Sequence, residues 1–122
     1  MQLPNPKEPP AKPRLVIIES PYAGDVERNT EYARRAMAHS LSEGEAPFLS
    51  HLLYTQVLND EIPGERSTGI YAGLSWGAVA EQTIVYDDYG ISEGMKIGIC
   101  LASVEKRPIK FRSIGKNPGD EE

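Results

Sequence analysis

The chain has 122 residues, a formal net charge of −5 and one cysteine. This length fits a single domain, and the acidic balance argues against polymeric nucleic acid, which requires clustered Lys and Arg. A lone cysteine allows no intrachain disulfide, which fits a reducing cytoplasm. No apolar run approaches the ~20 residues of a membrane span, and the N-terminus lacks the apolar segment of a secretory signal. We therefore expect a cytoplasmic protein with no membrane partner.

Both ends of the chain differ in composition from its middle. Residues 1–13 contain five prolines and almost no large apolar residue, while residues 113–122 are polar. We predict a disordered Pro-rich N-terminal tail over 1–13, a folded domain over 14–112 and a polar C-terminal tail over 113–122.

The middle of the chain alternates strand patterns with helix patterns. Its strands are short continuous apolar runs, which are typical of strands buried on both faces of a parallel sheet. Pro47 confines the second strand to a sheet edge, because proline cannot donate to a ladder. The order of elements indicates an α/β fold with right-handed crossovers. The predicted elements are a strand at 15–18, a helix at 25–42, a strand at 46–49, a loop at 50–64, a helix at 65–80, a strand at 83–86, a helix at 92–106 and a strand at 108–111.

Two of the predicted helices have unusual surfaces. Gly69, Gly73 and Gly77 recur every four residues on one face of the helix at 65–80, which favours close packing of this helix against the sheet, with room for a ligand or a partner helix as the alternative. The helix at 92–106 is apolar on two sides, which predicts a second buried side, and Cys100 within it is predicted to be buried. We therefore expect a homo-oligomer, a dimer or larger, formed through the helix at 92–106.

The segment 87–96 has the strongest functional signal. It joins a strand to a helix and carries three carboxylates, Asp87, Asp88 and Glu93. In an open parallel sheet, ligands bind outside the carboxyl ends of the strands, and a carboxylate at a helix N-terminus can stay ionised and act as a nucleophile. Ser92 is expected to cap the helix, to contact a ligand or to do both, and Asp88 is expected to face solvent.

Three segments in a defined order resemble the nucleoside 2-deoxyribosyltransferase-like superfamily and, more closely, its small phage and bacterial proteins of unknown function. They are 19–25, 46–56 and 87–96, and the similarity extends over about residues 14–112. The resemblance implies a flavodoxin-like or Rossmann-like three-layer sandwich. Its parallel four-stranded sheet would have the order 2-1-3-4, with a site at the carboxyl ends of the strands.

The resemblance also implies roles for individual residues. In the enzymes of that superfamily, a glutamate at the start of the helix attacks C1′ of a (deoxy)ribosyl N-glycoside, and Glu93 matches it. Asp87 matches a carboxylate that helps to hold the sugar or base. Members commonly carry an acidic residue where this chain has Gly98, so the general acid is not identified. The other candidate site residues are Ser20, Tyr22, Gly24, Arg28, His51, Tyr54, Gln56, Gly90 and Ser92, and no metal or cofactor is implied.

Cleavage of an N-glycosidic bond passes through an oxocarbenium-like state, so it needs an anion beside the anomeric carbon and an acid for the departing base. Glu93 suits the first task, and Asp87 or Asp88 could serve the second if its pKa is raised. Three functions are therefore open. The chain could be an enzyme acting on a nucleoside or nucleotide, a module that binds such a molecule without turnover, or an interaction protein with a vestigial pocket.

Overall fold

The structure is a computed structural model that describes residues 12–120. Its four strands are all parallel and form one sheet in the order β2-β1-β3-β4. This confirms the predicted α/β sandwich and its strand order 2-1-3-4. The strands are β1 (Arg14–Glu19), β2 (Glu45–Phe48), β3 (Gln82–Tyr86) and β4 (Ile109–Arg112), and the helices are α1 (Val26–Ser42), α2 (Ser50–Leu53), α3 (Pro63–Ser75) and α4 (Glu93–Val104).

The predicted N-terminal tail, residues 1–13, lies outside the described residues except for residues 12 and 13. No helix within residues 12–120 combines the length and the apolar content that a membrane crossing requires.

One face of the sheet packs against α1 and forms the main core. Asp25 caps this helix by accepting a hydrogen bond from the backbone N–H of Arg28 at 3.0 Å. The buried apolar face of α1 includes two alanines, whose small side chains let the helix lie close to the strands. The core cluster comprises Val16, Ile18, Tyr32, Ala33, Ala36, Leu49, Ile84 and Tyr86.

The other face of the sheet carries α3 and α4. Successive side chains of a strand point to opposite faces of the sheet. In β1, Val16 and Ile18 point to α1, whereas Ile17 and Glu19 point to this other face. The two helices do not close over the sheet completely. A cavity of about 130 Å³ lies between them, lined by Ile17 and Glu19 from below. This half-open face is where the sandwich leaves space for a ligand.

The region after β2 differs from the predicted loop at 50–64. It contains α2 and a 3₁₀ turn at Tyr54–Gln56, and α3 begins early, with Pro63 in its first turn. A four-residue helix is too short to show a periodic pattern, which is why the sequence did not indicate it. α3 also ends at Ser75, five residues before the predicted end.

The predicted packing of the three glycines against the sheet is wrong, because their close contacts are with other parts of the chain. A Cβ at Gly69 would lie 3.3 Å from Leu58, and one at Gly73 would lie 2.8 Å from the Cβ of Ser50. Gly77 lies beyond the end of α3 and packs instead against Glu105. The glycines therefore let α3 approach the chain at 50–58.

Asp88 was expected to face solvent, and this is wrong. Its carboxylate accepts hydrogen bonds from the Tyr32 hydroxyl at 2.6 Å and from the backbone N–H groups of Ile114 and Gly115 at 2.8 Å. Burial opposes the charged form, but these bonds outweigh it and lower the pKa of Asp88. Part of the predicted polar C-terminal tail, residues 113–115, is thus fixed to the end of β3.

α4 buries one of its two apolar sides. Met95, Gly98 and Ala102 are buried, whereas Ile97 is 53% exposed and Val104 is 71% exposed. Cys100 is exposed as well, so its predicted burial is wrong for the single chain. The apolar residues on this side of α4 form a surface, defined by Ile97, Cys100 and Val104, which we call the α4 outer face.

Candidate functional site

A cleft of about 460 Å³ opens at the carboxyl end of β1, within the size range of small-molecule sites. Five parts of the chain form its walls: the loop after β1 (20–24), the segment of α2 and the 3₁₀ turn (50–55), the chain at 58–60, the first half of α3 (65–70) and the start of α4 (92–95). Two of these parts, 50–55 and 58–60, belong to the region that the sequence predicted to be a loop.

The cleft brings together seven of the eleven residues that the sequence singled out. They come from three separate segments, which meet because the carboxyl ends of parallel strands lie at the same edge of the sheet. The seven are Ser20, Tyr22, Gly24, His51, Tyr54, Ser92 and Glu93.

Asp87 and Gly90 do not line the cleft. β3 ends at Tyr86, and the Asp87 carboxylate turns to the C-terminal segment, where it accepts a hydrogen bond from the Ser113 hydroxyl at 2.8 Å. Gly90 closes the turn after β3 with a φ of +84°, a backbone conformation that favours glycine. This conformation accounts for the glycine without any contact to a ligand. The structure thus places the proposed sugar-holding carboxylate away from the cleft.

Arg28 and Gln56 also lie elsewhere. The Arg28 guanidinium stacks over the ring of Tyr89, 4.3 Å from its centroid, on the α1 side of the sheet. The Gln56 side chain folds back and donates to the carbonyl of Leu52 at 3.1 Å. Neither side chain is therefore positioned to hold a phosphate or a base in this cleft.

The inner wall is a polar contact between the first two loops. Ser20 Oγ lies 3.1 Å from His51 Nε2, and the rings of Tyr22 and His51 are 5.5 Å apart. Asn29 anchors the loop by donating from Nδ2 to the carbonyls of Tyr22 and Ala23. Burial lowers the pKa of His51 to about 4, so its imidazole is neutral at physiological pH. This wall therefore offers neutral hydrogen-bonding groups and an aromatic ring.

Tyr54 forms the aromatic part of the second wall. Its hydroxyl accepts a hydrogen bond from Trp76 Nε1 at 3.0 Å, and Trp76 packs on Phe48 with ring centroids 5.0 Å apart. These contacts fix the orientation of the tyrosine ring. Trp76 thereby supports the cleft from outside, a role that its sequence position did not indicate.

Ser92 and Glu93 form the rim at the start of α4. Ser92 Oγ accepts from the backbone N–H of Met95 at 3.3 Å, so it caps the helix and also lines the cleft. The side chain of Glu93 is 90% exposed and pairs with Lys96 Nζ at 3.1 Å. Glu93 thus stands at the mouth of the cleft, held only by a weak exposed ion pair.

The sequence missed Glu19, the last residue of β1. Its carboxyl borders both the cleft and the smaller cavity beneath it. Burial raises the pKa of Glu19 to about 8, although the positive charge of Arg107 partly opposes this. An acidic residue directly after the apolar run at 15–18 is a signal that could have found it, because a strand buried on both faces rarely ends in a free carboxylate.

Gly98 of α4 makes room for that carboxyl. A Cβ at this position would overlap the carboxyl group of Glu19, so no other residue fits without displacing it. The carboxyl of Glu19 therefore occupies the space into which a side chain at position 98 would project.

The third wall, from the chain just before α3 and the first turn of α3, adds charge. Asp60, Glu65 and Arg66 line the cleft, and Arg66 Nε lies 3.8 Å from Asp60 Oδ2. With Glu93, three carboxylates face one guanidinium. Within residues 12–120, no group of three or more His, Cys, Asp or Glu side chains is arranged to hold a metal ion.

Comparison with known families identifies the chain's relatives. The model of a family described as a domain of unknown function, DUF7768, matches residues 14–112. The chain belongs to this family. The DUF7768 match includes all four strands and every residue that lines the cleft. No curated protein matches the chain.

Proposed function

We propose that the cleft binds a nucleoside and that the protein cleaves or transfers its N-glycosidic bond. The observation that carries this proposal is the convergence of three unlinked segments on one cleft. Two of them supply the Tyr22 and Tyr54 rings, and the third supplies Glu93. Aromatic faces suit a flat base, and a carboxylate at the rim suits a sugar whose anomeric carbon becomes positive. The likeness to the nucleoside 2-deoxyribosyltransferase-like superfamily supports the same function.

In this scheme the carboxylate of Glu93 is the nucleophile. The positive end of α4 stabilises its charge, and a capped, rigid first turn fixes its backbone. Its exposed pair with Lys96 is weak, so a small side-chain rotation releases it toward a bound sugar. Water or a second base would then complete hydrolysis or transfer.

The charge of the cleft favours a nucleoside over a nucleotide. Asp60, Glu65 and Glu93 outnumber Arg66, which is the one basic residue of its lining within the described chain. Arg66 is also engaged by Asp60 at 3.8 Å. A 5′-phosphate would therefore meet net repulsion, and we expect adenosine to raise the melting temperature more than AMP at equal concentration.

The test is release of free base from a panel of ribo- and deoxyribonucleosides, followed by chromatography. Wild-type protein should release base, and Glu93→Gln, which keeps the shape and removes the charge, should lower the rate by a factor of at least ~100. The matched control is Glu27→Gln, an exposed carboxylate on α1. Equal rates for wild type and Glu93→Gln would refute the proposal.

A non-catalytic binding module is the second candidate. It is favoured by the orientation of Glu93, whose side chain points to solvent and Lys96. In this case nucleosides or a signalling nucleotide would raise the melting temperature and be recovered unchanged after hours. A thermal shift without base release would select this function over the first.

We further propose a homo-oligomer that buries the α4 outer face and a reducing cytoplasm as its compartment. Ile97 and Val104 are both more than half exposed, and Cys100 between them is a free, exposed thiol. A second copy of the chain would cover the apolar side chains, and a reducing environment would keep the thiol from crosslinking.

A further inference from the structure

We propose that Glu19 is the general acid that protonates the departing base. This role rests on the proposed N-glycoside cleavage. Neither the resemblance nor the family match assigns it, because the acidic position implied by the superfamily is Gly98 here.

The first support is position. Glu19 is the last residue of β1, paired in register with Val85 of β3, so it lies at the end of the sheet where the cleft opens. Its carboxyl borders the cleft together with Ser92 and Glu93 of α4. It also borders the cavity below, between α3 and α4. Glu19 at the floor of the cleft and Glu93 at its rim can therefore face the base and the sugar, the two ends of the bond to be broken.

The second support is that the carboxyl is unengaged. No donor within residues 12–120 makes a hydrogen bond to it. The guanidinium of Arg107, whose charge acts on Glu19, instead donates hydrogen bonds to the Thr83 hydroxyl, the Gly77 carbonyl and Glu105. The Glu19 side chain is partly buried, and a partly buried carboxyl with no bound donor or cation favours its protonated form, whose proton is available to a ligand.

The third support is the shape of α4 around it. Gly94 and Gly98 both line the cavity on the α4 side, and a Cβ at Gly98 would collide with the Glu19 carboxyl. Helix interiors lose about 1 kcal/mol for each glycine relative to alanine, so a glycine here needs a packing reason. Room for the Glu19 carboxyl supplies that reason.

The charged and titratable groups that face Glu19 come from three helices and from the chain just before β4. They are His51 from α2, Arg66 from α3, Glu93 from α4 and Arg107 before β4. His51 is neutral at physiological pH, because burial holds its pKa near 4. It therefore does not compete as the acid.

The Glu19 carboxyl gives its proton to a ring nitrogen of the base while the C1′–N bond breaks and its electron pair passes to the base. C1′ bonds to the Glu93 carboxylate, and the base leaves neutral. Glu19, now a carboxylate, takes a proton from the water or incoming base nitrogen that attacks C1′, which restores both groups.

The test compares two leaving groups with wild-type protein and Glu19→Gln. A purine nucleoside needs its base protonated, whereas 4-nitrophenyl β-D-ribofuranoside loses a stable phenolate that needs no acid. Glu19→Gln should slow base release by ~10²–10⁴-fold and leave the first-turnover release of nitrophenolate near the wild-type rate, because Glu19 acts on this compound only as the base of the following step. Glu31→Gln, an exposed carboxylate of α1, should match wild type on both compounds.

Equal losses on both leaving groups in the first turnover would show a structural role and overturn the assignment. A second readout covers the case in which the nitrophenyl compound is not accepted. Base release by wild type should fall above about pH 8, where Glu19 loses its proton, and the residual rate of Glu19→Gln should not. A Glu19→Gln rate equal to wild type would refute Glu19 alone, whereas no turnover by wild type would refute the proposed function and this role together.

Discussion

At the scale of single residues, environment divides the carboxylates into distinct roles. Glu19 is partly buried without a donor, Asp88 is held by three donors, and Glu93 stands in solvent. The same functional group is thereby a proposed proton donor, a structural anion and a candidate nucleophile. Chemical type alone could not assign these roles, because each depends on residues distant in the chain.

Replacing Asp88 tests its structural role. Asp88→Ala removes the acceptor for Tyr32, Ile114 and Gly115 and should lower the free energy of unfolding by about 2–3 kcal/mol in denaturant titrations. Asp87→Ala is the matched control. It removes one exposed hydrogen bond to Ser113 and should cost less than about 1 kcal/mol. Equal losses for the two variants would contradict the assignment.

The sequence indicated part of the site for a physical reason. Ser20, His51 and Glu93 follow or precede strands and helices with clear apolar patterns, so topology alone placed them at one sheet edge. Glu19 was missed because the burial that sets its pKa comes from α3 and α4. The sequence placed Asp87 at the cleft, but hydrogen bonds to the C-terminal segment set the path of its turn. That segment has no periodic pattern, so these contacts could not be predicted.

At the scale of elements, α3 is the least secured part of the sandwich. Gly73 is its one buried residue. The helix contacts chiefly α2 and the short turn at 76–78 that directly follows α3 in the chain. Its position is set by close approach at glycines rather than by an apolar stripe. The sequence indicated a helix here but not its start at Pro63, since local turn geometry fixes that end.

Two glycines of α3 separate packing from helix propensity. Gly73→Ala would bring a Cβ within 2.8 Å of Ser50 and should destabilise the protein by about 1–3 kcal/mol. Gly64→Ala meets nothing within 4 Å and should stabilise it by up to about 1 kcal/mol through helix propensity. Thermal unfolding of both variants measures the difference. Stabilisation by both would show that α3 does not pack closely on α2.

At the scale of the whole molecule, the two sides of the sheet have different tasks. The α1 side holds the core cluster and was predictable from apolar runs and helical spacing. The α3 and α4 side holds the cavities and the α4 outer face, and its details depend on long-range contacts. Stability and function are thus separated across one sheet.

The α4 outer face makes a prediction about assembly. Ile97→Lys with Val104→Lys should convert an oligomer into a monomer, measured by sedimentation, because the charges could not be buried between subunits. Val57→Lys, at an exposed apolar residue outside α4, should leave the assembly unchanged. A wild-type protein that sediments as a monomer at high concentration would refute the proposed oligomer.

Stability should depend on pH in a window set by Glu19. The unfolded chain loses the Glu19 proton near pH 4.5 and the folded chain keeps it to about pH 8, so the free energy of unfolding should fall as pH rises through this window. His51 has the opposite sign, but its contribution changes only between pH 6.5 and about 4. Denaturant titrations at several pH values should show this fall for wild type, and Glu19→Gln should abolish it. A fall of the same size in Glu19→Gln would contradict the account.

The central claim is that the cleft beside Glu19 and Glu93 is a nucleoside site. A crystal structure with an uncleavable nucleoside analogue tests it most directly. The account predicts the base against Tyr22 and Tyr54, C1′ facing Glu93 and a ring nitrogen of the base within hydrogen-bond distance of Glu19. An analogue bound elsewhere, for instance in the surface depression beside Arg28, or an empty cleft at saturating analogue, would contradict it.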